Sequence, residues 1–179
     1  MVWLRKEIRF TGVGGQGVVW AATLIGAASS DEAGLAASVS AKYGSEVRGG
    51  ISRADIVISD EREPFPWVTG LDLLVVLDPK SVTKGSISLL RRNALVLSTT
   101  ALKNISNAQV AVVPATERSK EDLGSDRYAN SIMVGYAASI LGVPSLESLK
   151  RAVVERSTEP SKDFNLRAIE IGSQMAKAK

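Results

Sequence analysis

The sequence predicts an α/β fold: a single three-layer domain over residues 1–179, with a mixed, mostly parallel sheet, flanking helices and a C-terminal helical cluster. Two observations support this. A short alternating strand leads directly into a glycine-rich loop and an alanine-rich helix, and several apolar, β-branched runs follow before a mainly helical last third. A chain of 179 residues is also long enough to bury one core, which favours one domain.

The chain opens with a strand, a loop and a helix. Residues 7–11 (EIRFT) alternate polar and apolar side chains as a β-strand does, and glycines follow at once. Residues 18–29 are rich in alanine with apolar neighbours and predict a helix, and residues 35–40 predict a second strand. Together these segments predict a βαβ opening.

The middle of the chain predicts most of the remaining sheet. Residues 54–60 (ADIVISD) form a short strand, which we expect to pair antiparallel because the gap after residue 40 is too short for an ordinary crossover helix. Residues 71–78 (LDLLVVLD) are a near-continuous apolar run, typical of a strand buried on both faces. Residues 79–92 predict a helix, and residues 94–100 and 109–115 predict two further strands.

The last third predicts helices at residues 125–141, 145–156 and 163–177. Gly142 is expected to end the first of them, and Ser145 to cap the start of the second. The intervening Gly-Val-Pro-Ser segment therefore separates two helices rather than two domains.

The absence of two residue types excludes several kinds of chemistry. The sequence contains no cysteine and no histidine. It cannot supply thiolates to an iron–sulfur cluster, form a disulfide, present a nucleophilic cysteine or build a Ser-His-Asp triad. If the protein takes part in redox or acyl chemistry, a bound cofactor or another polypeptide must supply the reactive centre.

Charge and hydropathy indicate where the protein works. Lys and Arg number 22 against 19 Asp and Glu, and this mild excess does not favour nucleic-acid binding. No apolar run approaches the roughly 18 residues of a membrane span, and the first ten residues lack the apolar core of a targeting signal. We therefore expect a cytoplasmic protein with no membrane partner.

The glycine loop is the first candidate site. Gly12, Gly14 and Gly17 match the spacing G-x-G-x-x-G between a strand and a helix, where glycines let the backbone approach a phosphate closely. The NAD pattern also needs an acidic residue after the second strand, and residues 40–43 (SAKY) offer none. The alternative is a tight turn without a ligand. Gln16 would then cap the loop's own backbone instead of contacting a ligand.

A second glycine-rich loop follows the second strand. Residues 43–50 (YGSEVRGG) place Tyr43, Glu46 and Arg48 among glycines, and loops that follow strands of an open α/β sheet line the same crevice. Arg48 can bind a phosphate or carboxylate through its planar guanidinium, or pair with Glu46 or Asp55 at the surface. Both interpretations remain open at this stage.

Other polar and aromatic residues favour structural roles. Residues 65–67 (FPW) predict an anchor for a partner surface. Asp72 is expected at a strand start and Asp78 at a helix cap, while Asn130 and Asn165 are expected to fix local backbone rather than to do chemistry.

Four blocks of sequence carry a family resemblance: EIRFTGVGGQG, YGSEVRGGISRADIVISD, PATERSKEDLG with ANSIMVGYAASILGVPSLESL, and NLRAIEIG. From about residue 7 to residue 172 the chain resembles the gamma subunit of the 2-oxoacid:ferredoxin oxidoreductases. Carried over by position, the family's binding blocks fall on Gly12, Gly14, Gly15, Gln16, Gly17, Tyr43, Gly44, Glu46, Arg48, Gly49, Gly50 and Ser52. The later matches, Asn130 with Gly135 and Asn165 with Gly172, are taken as structural.

The resemblance implies a non-catalytic subunit that binds no cofactor alone, helps to assemble the complex and covers coenzyme A. Thiamine diphosphate, Mg and the iron–sulfur clusters would lie on partner alpha, beta and delta subunits, with ferredoxin as electron acceptor. Residues 58–61 (ISDE) with residues 66–68 (PWV) are closest to the 2-oxoglutarate type, while branched-chain, pyruvate and indolepyruvate enzymes remain open. The alternatives are a stand-alone Rossmann-like nucleotide-binding protein and an assembly module without any ligand.

Overall fold

The computed structural model describes residues 4–43, 50–60, 65–103, 105–106 and 108–178. Within these ranges six strands form one sheet in the order β2-β3-β1-β4-β5-β6. The strands are β1 (Arg5–Val13), β2 (Ala36–Tyr43), β3 (Ile51–Ser59), β4 (Leu71–Val76), β5 (Leu90–Ser98) and β6 (Gln109–Val112). The helices are α1 (Val18–Ser30), α2 (Lys84–Ser88), α3 (Ala115–Leu123), α4 (Ala129–Leu141), α5 (Leu146–Arg156) and α6 (Ser161–Lys177), with short 3₁₀ turns at Pro79–Ser81 and Asp126–Tyr128.

The sheet is mixed and mostly parallel, as predicted. Only β3 runs against the others among the described strands: it pairs antiparallel with both β1 and β2, whereas β1, β4, β5 and β6 pair in parallel. The strands joined by α1 are therefore parallel, but β3 lies between them. In a dinucleotide-binding βαβ unit the two strands joined by the helix are adjacent. Here β3, which pairs antiparallel with β2, lies beside β1 instead.

One face of the sheet is apolar and covered by helices. Ile8 and Phe10 of β1 point to this face, and Ile56 of β3 lies beside them in the same fully buried cluster. Helix α1 packs on β1, β2 and β3, α4 and α5 pack against α1, and α6 packs against α4 and α5. Because alternate residues of a strand point to opposite faces, the remaining β1 side chains point away from these helices.

Helices α4 and α6 approach unusually closely through two glycines. A Cβ on Gly135 would overlap the backbone carbonyl oxygen of Ile169, and a Cβ on Gly172 would overlap that of Ile132. Backbone atoms cannot move aside as a flexible side chain can, so both positions need glycine. The structural role expected for these two glycines follows directly from this contact.

The opposite face of the sheet carries buried charge. Arg9 is only 2% exposed and donates two hydrogen bonds to the Asp55 carboxylate, from Nε at 2.6 Å and from Nη2 at 2.8 Å. Its third bond runs from Nη1 to Ser86 Oγ at 3.3 Å, which ties the pair to α2. The expected partner of Asp55, Arg48, lies outside the described residues, and Asp55 is already paired with Arg9.

A second buried charge lies two residues before Arg9 on the same face of β1. The fully buried Glu7 accepts hydrogen bonds from the Gly70 N–H at 2.9 Å, from Arg5 Nε at 2.8 Å and from Arg91 Nη2 at 3.0 Å, and from the Thr69 N–H. Burial alone would raise the pKa of Glu7, but these donors outweigh it and lower the pKa to about 2.

The Glu7 cluster also holds the exposed aromatic segment. Arg5 Nη2 donates to the carbonyl oxygens of Phe65 and Trp67 at 3.2 Å each. Both aromatic side chains are more than half exposed. The interface role predicted for this segment stays a prediction, but its backbone is fixed to β1.

The capping residues are confirmed, and one predicted helix is wrong. Ser145 Oγ accepts from the Ser148 N–H at 3.1 Å, Gly142 ends α4 in the left-handed conformation, and Asp78 caps the 3₁₀ turn that follows it. Residues 79–92, however, form this turn, the five-residue α2 and the start of β5. Strand β5 already begins at Leu90. Its pairing with β4 is irregular between Leu90 and Leu95, and the polar residues there hide the β pattern in the sequence.

Among the described residues, no helix is both long enough and apolar enough to cross a membrane.

Candidate functional site

The glycine loop joins β1 to α1 in a conformation that only glycine adopts easily. Gly15 has a φ of 95° and Gly17 a φ of 70°, both in the left-handed region. A Cβ on Gly17 would also overlap the side-chain amide of Asn130. Gly17 precedes the first turn of α1, and within that described turn there is no acidic side chain. The first N–H groups of α1 and its dipole therefore favour an anion at this end.

Gln16 caps the loop's own backbone, one of the two roles considered for it. Its Oε1 accepts from the Val13 N–H at 2.9 Å, and its Nε2 points to the Leu77 carbonyl oxygen at 3.5 Å. A Cβ on Gly12 would lie 2.6 Å from this Oε1, so Gly12 leaves the room that the cap needs. The Gln16 side chain thus fixes the conformation of the loop.

The two glycine-rich loops begin beside each other. The Gly14 N–H donates to the Gly50 carbonyl oxygen at 3.0 Å. Gly12 lies opposite Ser52 on β3, and Ser52 lies opposite Tyr43 on β2. The sheet therefore brings together the predicted residues at the bases of both loops. Four other predicted residues, Gly44, Glu46, Arg48 and Gly49, lie outside the described residues.

A groove runs over the glycine loop at the carboxyl ends of the parallel strands. It consists of two adjoining cavities of about 240 and 320 Å³, and Gly15, Arg127 and Asn130 line both. Leu77 follows β4 and Thr99 follows β5, and both line the first cavity. Ligands of open α/β sheets bind at this edge.

The groove offers positive charge and aromatic surface. Arg127 and Arg156 are exposed, and neither makes a salt bridge with another described residue. Trp20 and Tyr128 line the second cavity together with these two cations. One acid, Asp126, lines the first cavity, with its carboxylate 3.5 Å from Lys120 Nζ. The groove is therefore suited to a ligand with several negative charges and a planar ring.

Asn130 connects the glycine loop to the C-terminal helices. Its Nδ2 lies 3.5 Å from the Gly17 carbonyl oxygen, and its Oδ1 accepts from the Ser131 N–H at 2.8 Å. Ser131 Oγ donates to Asn165 Oδ1 at 2.8 Å. The local structural role expected for both asparagines holds, but their side chains also line the groove.

Sequence reasoning missed Arg127, Arg156 and Thr99 as groove residues. Thr99 had a usable signal, because it directly follows a parallel strand and so lies at the edge where the glycine loop lies. Arg127 and Arg156 lie after the sheet, on a 3₁₀ turn and at the end of α5. Only the packing of α4, α5 and α6 brings them to the loop.

The comparisons with known proteins agree with this architecture. Residues 7–175 match the family described as pyruvate ferredoxin/flavodoxin oxidoreductase. The chain is 32% identical, over 98% of its length and 97% of the relative's, to the 2-oxoglutarate synthase subunit KorC of Methanothermobacter thermautotrophicus. Subunits named for ketoisovalerate and pyruvate match at similar identity.

Two solved structures share the fold. The keto/oxoacid ferredoxin oxidoreductase gamma subunit from Geobacter sulfurreducens matches with a TM-score of 0.82 and 31% identity, over 97% of this chain and 99% of that one. The 2-oxoglutarate:ferredoxin oxidoreductase from Magnetococcus marinus matches in fold with a TM-score of 0.84 and 20% identity, over 98% of this chain and 31% of that one. The chain belongs to the pyruvate ferredoxin/flavodoxin oxidoreductase family, as a gamma subunit of a 2-oxoacid:ferredoxin oxidoreductase.

Proposed function

We propose that this gamma subunit works in a thiamine-diphosphate-dependent complex that converts 2-oxoglutarate to its acyl-CoA and reduces ferredoxin, and that its groove covers coenzyme A. The observation that carries this proposal is the groove itself. It joins a glycine loop at a helix start to two cations without salt-bridge partners among the described residues and to two aromatic rings.

Coenzyme A matches these features group by group. Its pyrophosphate and 3′-phosphate are anions, which suit the N–H groups at the start of α1 and the guanidinium groups of Arg127 and Arg156. Its adenine is a planar ring, which suits Trp20 or Tyr128. The Magnetococcus complex of the same fold is described with coenzyme A and succinyl-CoA bound. Arg48 and Glu46 remain predicted contacts from the second loop.

The chain itself would not perform the redox chemistry. Its sequence has no cysteine or histidine, and the described residues contain no group of three or more acidic side chains that is able to hold a metal ion. In the proposed complex, partner alpha, beta and delta subunits carry thiamine diphosphate, Mg and the iron–sulfur clusters, which supply decarboxylation and electron transfer. This subunit binds and orients coenzyme A and excludes water from it.

The choice of 2-oxoglutarate rests on two observations. The KorC relative is named for this substrate, and residues 58–61 (ISDE) with residues 66–68 (PWV) resemble the 2-oxoglutarate type. Since subunits named for other oxoacids match at similar identity, the substrate is best tested directly.

Reconstitution of the complex with and without this chain tests the proposal. With the chain present, we expect coenzyme-A-dependent ferredoxin reduction with 2-oxoglutarate, and at least about tenfold lower kcat/KM with pyruvate or ketoisovalerate. Without it, the dependence on coenzyme A should be lost and should return on adding the chain back. If the chain purifies alone from its source, with no thiamine-containing partner, the proposal is wrong.

Titration of the isolated chain with NAD and FAD tests the stand-alone alternative. We expect no saturable binding, because β3 separates the two strands that α1 joins and residues 40–43 supply no acid for a ribose hydroxyl. Tight binding of either dinucleotide without partner subunits would favour the alternative.

A further inference from the structure

A further cavity lies on the sheet face opposite the main helices. It has a volume of about 240 Å³ and shares no lining residue with the groove over the glycine loop. Thr11, Arg53 and Lys42 lie side by side across β1, β3 and β2 and form its base. Thr83 and Ser86, at the start of α2, form its opposite wall.

The cavity carries more positive than negative charge. Asp55 is the nearest acid in the adjoining row of the sheet, and both its oxygens already accept hydrogen bonds from the buried Arg9. Among the described residues, the only ion-pair partner of Arg53 is Asp55, which it reaches with Nε at 3.9 Å, so the outer N–H groups of its guanidinium can bind a ligand. Lys42 is exposed and makes no salt bridge with a described residue. Two cationic side chains are thus left over at the cavity.

Lys42 and Arg53 are direct cross-strand neighbours. They are register partners of the β2–β3 pair, so their side chains leave the same face of the sheet a short distance apart. Like charges in this position repel each other and destabilise the pair. An anion with two negative charges between them would convert this repulsion into attraction.

The opposite wall supplies a hydroxyl donor. Thr83 Oγ1 and Ser86 Oγ lie 3.1 Å apart, so one of their two hydroxyl hydrogens joins them. Ser86 Oγ also accepts from Arg9 Nη1, and Thr83 Oγ1 accepts from the Ser86 N–H. The other hydroxyl hydrogen is available to a bound ligand. An oxyanion in the cavity would therefore meet two cations on one side and an O–H donor on the other.

We propose that this cavity binds a phosphate dianion, either free or as a small phosphomonoester. The planar guanidinium of Arg53 suits two phosphate oxygens at once, and Lys42 adds a mobile point charge. The volume exceeds that of one phosphate group, which leaves room for a small ester. This proposal does not depend on the coenzyme A groove, because the two sites have no residue in common.

Titration of the intact chain with inorganic phosphate at constant ionic strength tests this proposal. We expect saturable binding to the wild type and at least a tenfold weaker affinity for the double variant Lys42→Gln, Arg53→Gln. The control variant Arg92→Gln, Lys103→Gln removes the same charge at exposed positions outside the cavity and should bind within twofold of the wild type. Glycerol 2-phosphate, used in parallel, distinguishes the sources: equal or tighter binding indicates an ester, and weaker binding indicates the free ion.

A charge reversal separates specific binding from loss of fold. Lys42→Glu places an acid opposite Arg53, so the cross-strand pair becomes attractive without an anion. We expect this variant to keep or raise the Tm of the wild type and to lose phosphate binding. The proposal fails if the wild type shows no saturable binding, if the cavity variants bind as well as the wild type, or if the control pair weakens binding equally.

Discussion

The two faces of the sheet are both buried but are held by different forces. The face under the long helices buries apolar side chains such as Ile8 and Phe10. They stabilise the fold through the area removed from water and through close packing. The face under α2 buries Glu7, Arg9 and Asp55, which lose hydration and regain it only through precise hydrogen bonds. The stability of the first face therefore depends on packing density, and that of the second face depends on correct pairing of the charges.

This comparison teaches where the chain tolerates change. An apolar face accepts volume-conserving substitutions, whereas a buried ion pair does not accept loss of one partner. The buried Arg9 also fixes α2 beside the cationic cavity through Ser86, and Arg5, which pairs with the buried Glu7, holds the backbone of Phe65 and Trp67. The positions of α2 and of residues 65–67 thus depend on a small number of polar contacts.

The largest effect on stability should come from a substitution at the closest contact between α4 and α6, the helices that cover the apolar side of the protein. We expect Gly172→Ala to lower the free energy of unfolding by about 4 kcal/mol or more, because the added Cβ overlaps the Ile132 carbonyl oxygen, which cannot move alone. Chemical denaturation measures the change. Gly85→Ala is the matched control: its Cβ would meet only Thr83 Oγ1, at an ordinary 3.9 Å, so little change is expected. Equal effects in the two variants would contradict the proposed packing.

Breaking the Arg9–Asp55 pair should cost less, about 3 kcal/mol. Asp55→Ala leaves the 2%-exposed Arg9 with a buried, unpaired charge. The double variant Arg9→Met, Asp55→Leu should recover most of the loss, because it removes both charges and keeps the volume. Denaturation of both variants provides the measurement. A double variant as unstable as Asp55→Ala would show that the pair is not the cause.

Glu7→Gln should have the smallest effect, about 2 kcal/mol at pH 7, and it should depend on pH. The pKa of Glu7 is lowered to about 2 in the folded protein from an ordinary 4.5, so its carboxylate stabilises the fold above pH 4.5 and this stabilisation is lost as the pH falls toward 2. The stability difference between wild type and variant should therefore shrink as the pH falls below 4.5 and vanish only below about pH 2. Denaturation at several pH values measures this difference, and a pH-independent difference at Glu7 would contradict the assignment.

The sequence was most informative for structural features that depend on one local pattern. The glycine loop between a strand and a helix, the Ser145 cap, the Gly142 stop and the antiparallel β3 were all predicted from short segments. Each depends on residues close together in the chain, so local sequence carries enough information.

The charged face was not predictable in the same way. Alternation in β1 correctly assigns Arg9 to the face opposite Phe10, but it does not show that α2 covers that face and brings Ser86 to Arg9. The groove has the same limitation, since Arg127 and Arg156 reach the glycine loop only through the packing of helices distant in sequence. The wrong helix at residues 79–92 arose because Arg91 and Arg92 interrupt the strand pattern of β5.

The KM for coenzyme A of the reconstituted complex tests the central claim most directly. With the double variant Arg127→Gln, Arg156→Gln, we expect this KM to rise at least about tenfold, while the KM for the 2-oxoacid and kcat at saturating coenzyme A stay within about twofold, because the proposed function assigns these two groove-lining cations to the coenzyme alone. Arg92→Gln, outside the groove, should change none of these values. An unchanged KM for coenzyme A, or an equal rise in the KM for the 2-oxoacid, would contradict the assignment of the groove.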